Sequence, residues 1–164
     1  LYNTCIVVKK EFEMGTRSRI AVMHGDVCKS VYCHWDGYLD HNGKLLMNHY
    51  NTPELAAALV AVGDISSLRA EIGEQHDFDE RFDESDPRYK WTNYYSRDRG
   101  EDNTQPKKYL TFDEYVRDHQ YEEFEYIMRN GEWFVAEYSS SYKNLADVML
   151  HNELDEELDA VDFD

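Results

Sequence analysis

Asn130-Gly131 stands between two runs, residues 125–129 and 132–138, that are rich in aromatic and aliphatic side chains. Asn-Gly is the preferred pair for a two-residue type I′ turn, because both central positions take positive φ. A loop that short leaves no freedom of register. Arg129 must face Glu132, Met128 must face Trp133, Ile127 must face Phe134, and Tyr126 must face Val135. The pattern predicts a hairpin with an ion pair at its tip and large apolar pairs behind it. A second hairpin is written around Gly25-Asp26, between residues 18–23 and 29–35. One of its faces carries Ile20 opposite Val31 and Ser18 opposite Cys33, with Val22 and Trp35 alongside, and is expected to be core. The other face carries Arg19 opposite Tyr32 and Arg17 opposite His34.

Helix signals lie between and after the hairpins. Thr52-Pro53-Glu54 supplies an N-cap, a proline at the first position and a first-turn carboxylate. Leu55, Leu59 and Val62 form the apolar stripe of that helix, and Gly63 ends it. A shorter helix is expected over residues 43–50. Thr111-Phe112-Asp113-Glu114 is a capping box opening a helix to about Asp118. Residues 143–150 are expected to be helical, and Leu154, Leu158 and Val161 keep i, i+4, i+7 spacing beyond them. Residues 64–108 show little periodicity, and 77–87 read as a charged surface loop. Two hairpins with several helices and no βαβ rhythm predict an α+β fold. We expect a mainly antiparallel sheet built from the two β-hairpins, with several short helices packed on one face.

Charge divides the chain. The 164 residues suffice for one domain with a real core, and their formal net charge is −17. Residues 1–74 hold 7 basic and 9 acidic side chains, a net of −2, and residues 75–150 hold 10 and 18, a net of −8. The last stretch, 151–164, holds 7 acids and no Lys or Arg, a net of −7. This balance excludes a protein that coats nucleic acid, and it opposes docking on anionic lipid. No apolar run approaches the roughly 18 residues of a membrane span. Cys5, Cys28 and Cys33 are an odd, sparse set that suits a reducing cytoplasm. Residues 1–13 have two open readings. One is a first strand, Thr4 to Val8. The other is a translated leader, since Lys-Glu ahead of Met14 is encodable as a purine-rich ribosome-binding sequence. Residues 14–150 then form the single α+β domain, and 151–164 an acidic C-terminal tail.

Two constellations carry recognition chemistry. His34-Trp35-Asp36-Gly37-Tyr38 gathers an imidazole, an indole, a carboxylate and a phenol at a strand end, on or beside the face of Arg17, Arg19 and Tyr32. Guanidinium forks suit phosphate, and aromatic planes suit a base. The competing reading makes Trp35 core and Asp36-Gly37 a plain turn. Arg97-Asp98-Arg99-Gly100 reads either as an anion clamp whose Asp98 fixes one arginine, or as a network stapling an acidic loop. Zinc is disfavoured because Cys28 and Cys33 alternate to opposite strand faces, so no metal or cofactor is expected. Neither a nucleophile elbow nor a Gly-rich phosphate loop is present, and no catalytic residue is assigned.

Gly15-Thr16-Arg17-Ser18-Arg19-Ile20-Ala21, Ser30-Val31-Tyr32-Cys33-His34-Trp35-Asp36-Gly37-Tyr38, Gly63-Asp64-Ile65-Ser66-Ser67-Leu68, His76-Asp77-Phe78 and Arg97-Asp98-Arg99-Gly100-Glu101 together resemble a family of small proteins of tailed bacteriophages and prophages. The resemblance runs from about Met14 to Ala136 and implies a phage accessory protein in the cytoplasm of the infected host. It supports an internal start at Met14. With it, the residues predict a non-enzymatic counter-defence protein that sequesters a phosphate-containing, nucleotide-like small molecule. The ligand residues expected are Arg17, Arg19, Tyr32, His34, Trp35, Asp36, Tyr38, Arg97, Asp98 and Arg99. The alternative partner is a host defence protein whose nucleic-acid site the acidic chain blocks as a DNA mimic, and an enzyme acting on a nucleotide comes third. Direct nucleic-acid or membrane binding is not expected, and homo-oligomerisation is left open.

Overall fold

The computed structural model describes residues 15–161, so the readings of residues 1–13 and of Cys5 lie outside the described residues. Strands β1 (Ser18–His24) and β2 (Val27–Cys33) pair antiparallel with Ser18 opposite Cys33 and Ile20 opposite Val31, the register that a two-residue loop dictates. After a π-helical turn (Leu39–Gly43) come α1 (Lys44–His49) and α2 (Pro53–Ala61), then β3 (Ile65–Ser67). A 3₁₀ turn (Pro87–Lys90) precedes β4 (Asn93–Tyr94), α3 (Tyr95–Arg99) and β5 (Lys107–Tyr109). Helix α4 (Phe112–Asp118) leads to β6 (Phe124–Arg129) and β7 (Glu132–Glu137), and β8 (Lys143–Asn144) leads to α5 (Leu145–Val161).

The eight strands form one mostly antiparallel sheet in the order β4-β3-β2-β1-β6-β7-β8, with β5 also on β2. The fold is α+β. Its two hairpins are joined in parallel, β6 beside β1, with Ile20 opposite Tyr126. β3 joins β2 in parallel as well, through Cys33 and Ile65.

Cores form on both faces of the sheet. Ile20, Val31, Cys33, Tyr126, Met128 and Trp133 bury one face beneath Leu46, Ala56, Leu59, Val60 and Leu145. Ala21, Cys28 and Ile127 bury the opposite face beneath Tyr115 of α4, with Phe112 and Val116 packed around them. The expectation of helices on one face is therefore corrected. Alternation forces it, since β1 carries apolar residues at both odd and even positions and is buried on both sides. Cys28 and Cys33 fall on opposite faces, as alternation requires, and both are free thiols.

Several local readings change in detail. Thr52 caps α2 by accepting from Leu55 N–H (3.1 Å), but the buried stripe is Ala56, Leu59 and Val60, and Leu55 is exposed. Thr111 accepts from Glu114 N–H (3.0 Å), while the Glu114 carboxylate reaches back to Leu110 N–H (2.9 Å) rather than to the cap residue. Across the Asn130-Gly131 turn Arg129 does face Glu132, yet its guanidinium lies over the Phe112 ring, 4.9 Å from the centroid, in place of an ion pair. The spacing of Leu154, Leu158 and Val161 does continue the helix into the acidic stretch, since α5 runs from Leu145 to Val161 without a break.

Candidate functional site

β2 ends at Cys33, but the chain keeps pairing for two more residues. His34 and Trp35 N–H donate to the carbonyls of Ile65 and Ser66, each at 3.0 Å. Asp36 then takes φ +57° and turns the chain away. Gly37 makes the turn possible, because a Cβ there would stand 2.7 Å from Ser18 Cβ and 2.9 Å from the Arg17 carbonyl carbon. Trp35 is thereby carried beyond the core, and its side chain remains 39% exposed. Its expected place on the core face is corrected: strand alternation has stopped before position 35.

Trp35 forms one wall of a cleft of about 450 Å³. Ser66, Ser67 and Asn93 line it from β3 and β4. The rest comes from the stretch without periodicity: Arg69, His76, Phe78, Arg81 and Phe82, then Arg88, Tyr89 and Trp91. Each wall has an identifiable support. Thr92 is fully buried and its hydroxyl accepts from Arg69 N–H (3.0 Å), fixing the backbone of that arginine. The Arg69 guanidinium lies 5.3 Å from the Tyr89 ring centroid and donates to the Tyr89 carbonyl (3.0 Å). Trp91 rests on bare backbone at Gly73, where a Cβ would come within 2.2 Å of its indole Cγ.

His76 is held from behind. Its Nδ1 donates to the Glu74 carbonyl (2.9 Å) and lies 3.5 Å from Asp98 Oδ1, while its ring sits 5.8 Å from both Phe82 and Trp91. A carbonyl only accepts, so Nδ1 carries the hydrogen of that bond. Arg88 lies 4.3 Å over Phe82 and is clamped by Asp86, Nη2 to Oδ2 at 2.8 Å. That hydrogen-bonded guanidinium holds the half-buried Asp86 carboxyl down at about 2. Arg69 and Arg81 differ: among the described residues neither has a carboxylate within ion-pair distance. The lining also includes Asp79 and Glu80; with Arg88 neutralised by Asp86, the two remaining guanidiniums meet two carboxylates, so the cleft is formally neutral in a chain of −17.

The residues singled out in the sequence separate into several places. Trp35 alone lines the cleft. Tyr32 and His34 share a hydrogen bond of 2.7 Å beside it, and burial, reinforced by the Arg17 charge, lowers the His34 pKa. Arg19 is on the expected face but 4% exposed, with Nε committed to the Gln120 carbonyl (3.1 Å) and Nη1 to the Ser30 hydroxyl (3.4 Å). Beside it His119 and Glu125 form a fully buried pair, with His119 stacked on Tyr115. Tyr38 and Asp36 turn away, Tyr38 joining a different, shallow groove with Phe124 and α5.

Arg97 and Asp98 form the staple of the two readings. All five guanidinium hydrogens are committed: Nε to Asp98 Oδ1, Nη1 to the carbonyls of Ile72 and Gly73, Nη2 to the Thr92 carbonyl and Asp98 Oδ2. The Asp98 carboxylate also accepts from Tyr94 N–H (2.8 Å) and His76 N–H (3.1 Å). Arg99 is outside this network, laid over Phe78 (4.4 Å) and Tyr95 (5.0 Å) and paired with Glu101. The pair thus builds the rear of the cleft rather than its lining. Sequence reading missed Arg69, Arg81, Tyr89 and Trp91, although the Phe, Tyr and Trp interleaved with arginines over residues 78–91 were a compositional signal.

No protein-family model, curated protein or solved structure matches the chain. No helix among the described residues is long and apolar enough to cross a membrane. Among the described residues no group of three or more His, Cys, Asp or Glu side chains is placed to hold a metal ion.

Proposed function

We propose that this cleft captures a phosphate-bearing small molecule with a planar base, a nucleotide-type ligand, and sequesters it without turnover. One observation carries the reading: Arg69 and Arg81, two guanidiniums without a carboxylate partner among the described residues, share a cleft of about 450 Å³ with the rings of Trp35, Phe78, Phe82, Tyr89 and Trp91. Guanidinium forks complement phosphate oxygens, and aromatic faces stack on bases. The volume lies within the range of small-molecule sites, roughly 300–1,000 Å³. A phage accessory role in counter-defence, inside the infected host, is the setting that the resemblance of the Tyr32–Tyr38 and Arg97–Glu101 blocks suggests.

The ligand set differs from the one expected from sequence. Trp35 stays, Arg69, Arg81, Tyr89 and Trp91 enter, and Arg97 and Asp98 act as support. Thermal shift and calorimetry against mono-, di- and cyclic nucleotides test it. A nucleotide should stabilise the chain, and Arg69→Ala and Arg81→Ala should each weaken its binding about tenfold or more, the size of one lost charge-assisted hydrogen bond. No binding by any nucleotide, or binding untouched by both variants, overturns the reading. Conversion of a bound nucleotide, read by mass spectrometry, would make the protein an enzyme instead.

A further inference from the structure

Helix α5 is inverted relative to an ordinary surface helix. Its first turns dock: Leu145 is fully buried, Met149 nearly so, and Val148 packs against the core. Beyond Met149 every residue through Ala160 is exposed. There the polar side faces the body, with Asn152, Asp155 and Glu156 lining a shallow groove opposite Tyr38 and Phe124. The apolar side faces out. Leu150, Leu154 and Leu158 recur every four residues and are 57%, 49% and 63% exposed. An amphipathic helix normally turns such a stripe inward. A contiguous exposed apolar stripe on a folded chain marks an interaction surface.

The charge around the stripe selects its occupant. From Leu145 to Ala160 the helix carries Asp147, Glu153, Asp155, Glu156, Glu157 and Asp159, one histidine, and no Lys or Arg. Two copies packed stripe to stripe would bring their carboxylates together well within a Debye length, about 8 Å at physiological salt, with no cation between them. Helix pairs of this kind are specified by opposite charges flanking the apolar seam. An anionic membrane meets the same repulsion.

We infer that the Leu150-Leu154-Leu158 face of α5 docks a basic amphipathic helix of another protein, its leucine-type seam against the stripe and its Lys and Arg against the flanking carboxylates. This surface is independent of the cleft. The test uses the full chain and two synthetic Leu/Lys peptides of one composition, one with leucines at helical spacing and one with strict alternation. By calorimetry at physiological salt the helical-period peptide should bind at least about tenfold tighter than its isomer. Leu154→Ser with Leu158→Ser should erase that preference while leaving the thermal unfolding midpoint unchanged, since both side chains are exposed.

Equal binding of the two peptides would reduce the face to a charge effect and overturn the inference. So would no binding, or a preference that survives the double substitution. Sedimentation equilibrium supplies the remaining arm. Self-association of the chain that Leu154→Ser abolishes would assign the stripe to a second copy instead.

Discussion

Replacing Asp98 by alanine should be among the most damaging single changes in the described residues, and the structure sets its size. The Asp98 side chain is 0% exposed and that of Arg97 is 17% exposed, at 2.9 Å between Nε and Oδ1. Removing the carboxylate strands a largely buried guanidinium, which costs about 3–5 kcal/mol for a broken buried pair. It also leaves the N–H groups of Tyr94 and His76 without their acceptor, at about 1–3 kcal/mol for each that water cannot reach. Relaxation recovers part of this, so a loss of about 4 kcal/mol is expected. At roughly 2–4 °C per kcal/mol for a domain of this size, the melting midpoint falls by about 8–16 °C. Arg99→Ala is the control, since its pair with Glu101 is 47% and 43% exposed and contributes about 0–1 kcal/mol. Urea unfolding followed by circular dichroism gives both values. If Asp98→Ala unfolds within about 1 kcal/mol of the parent, or Arg99→Ala costs as much, the staple is not what holds this region.

Further outcomes follow from single contacts. Gly73→Ala must strain a residue at φ +66° and push Trp91 off the backbone it rests on, so stability should fall by about 2 kcal/mol or more and Trp fluorescence should shift red. Glu132→Ala should leave stability within about 0.5 kcal/mol, because Arg129 is held by Phe112; a loss above about 1 kcal/mol would restore the tip ion pair. Burial pushes the thiols of Cys28 and Cys33 up from 9.0 to about 12 and about 11. The unfolded chain therefore loses these protons first, so stability is fully present below about pH 9 and declines as pH rises through 9 to 12. Urea midpoints at pH 8, 9 and 9.5, where the unfolded chain's thiols ionise ahead of its tyrosines, measure that decline, and Cys33→Ala should make it shallower while Cys28 keeps the rest. Above this range the buried tyrosines, also pushed up by burial, add to the loss, and a midpoint constant across the series would contradict the assignment. Both thiols should also resist a thiol reagent until denaturant is added.

Much of the frame was legible because short-range geometry controls it. The Asn130-Gly131 and Gly25-Asp26 turns dictate register within each hairpin, and Thr52 and Thr111 mark helix starts by a hydroxyl that caps an N–H. The parallel seating of β6 on β1 was not legible, because more than a hundred residues separate Ile20 from Tyr126 and no local pattern joins them. β3 and β4 were missed for another reason: strands of three and two residues have no period to read.

The site divides along the same line. Sequence alone determined that Arg19 and Tyr32 share a sheet face, that Cys28 and Cys33 point apart, and that Arg97-Asp98 works as a unit, since each follows from alternation or adjacency. Only the tertiary structure decided that Arg19 is buried under Gln120, that Arg97 spends its Nη1 on carbonyls more than twenty residues away, and that Trp35 meets Arg69, Arg81 and Trp91 across a cleft. Charge and aromaticity are written in the chain. Whether a guanidinium is left open to a ligand depends on which distant carbonyls and carboxylates reach it first, and that is settled by packing.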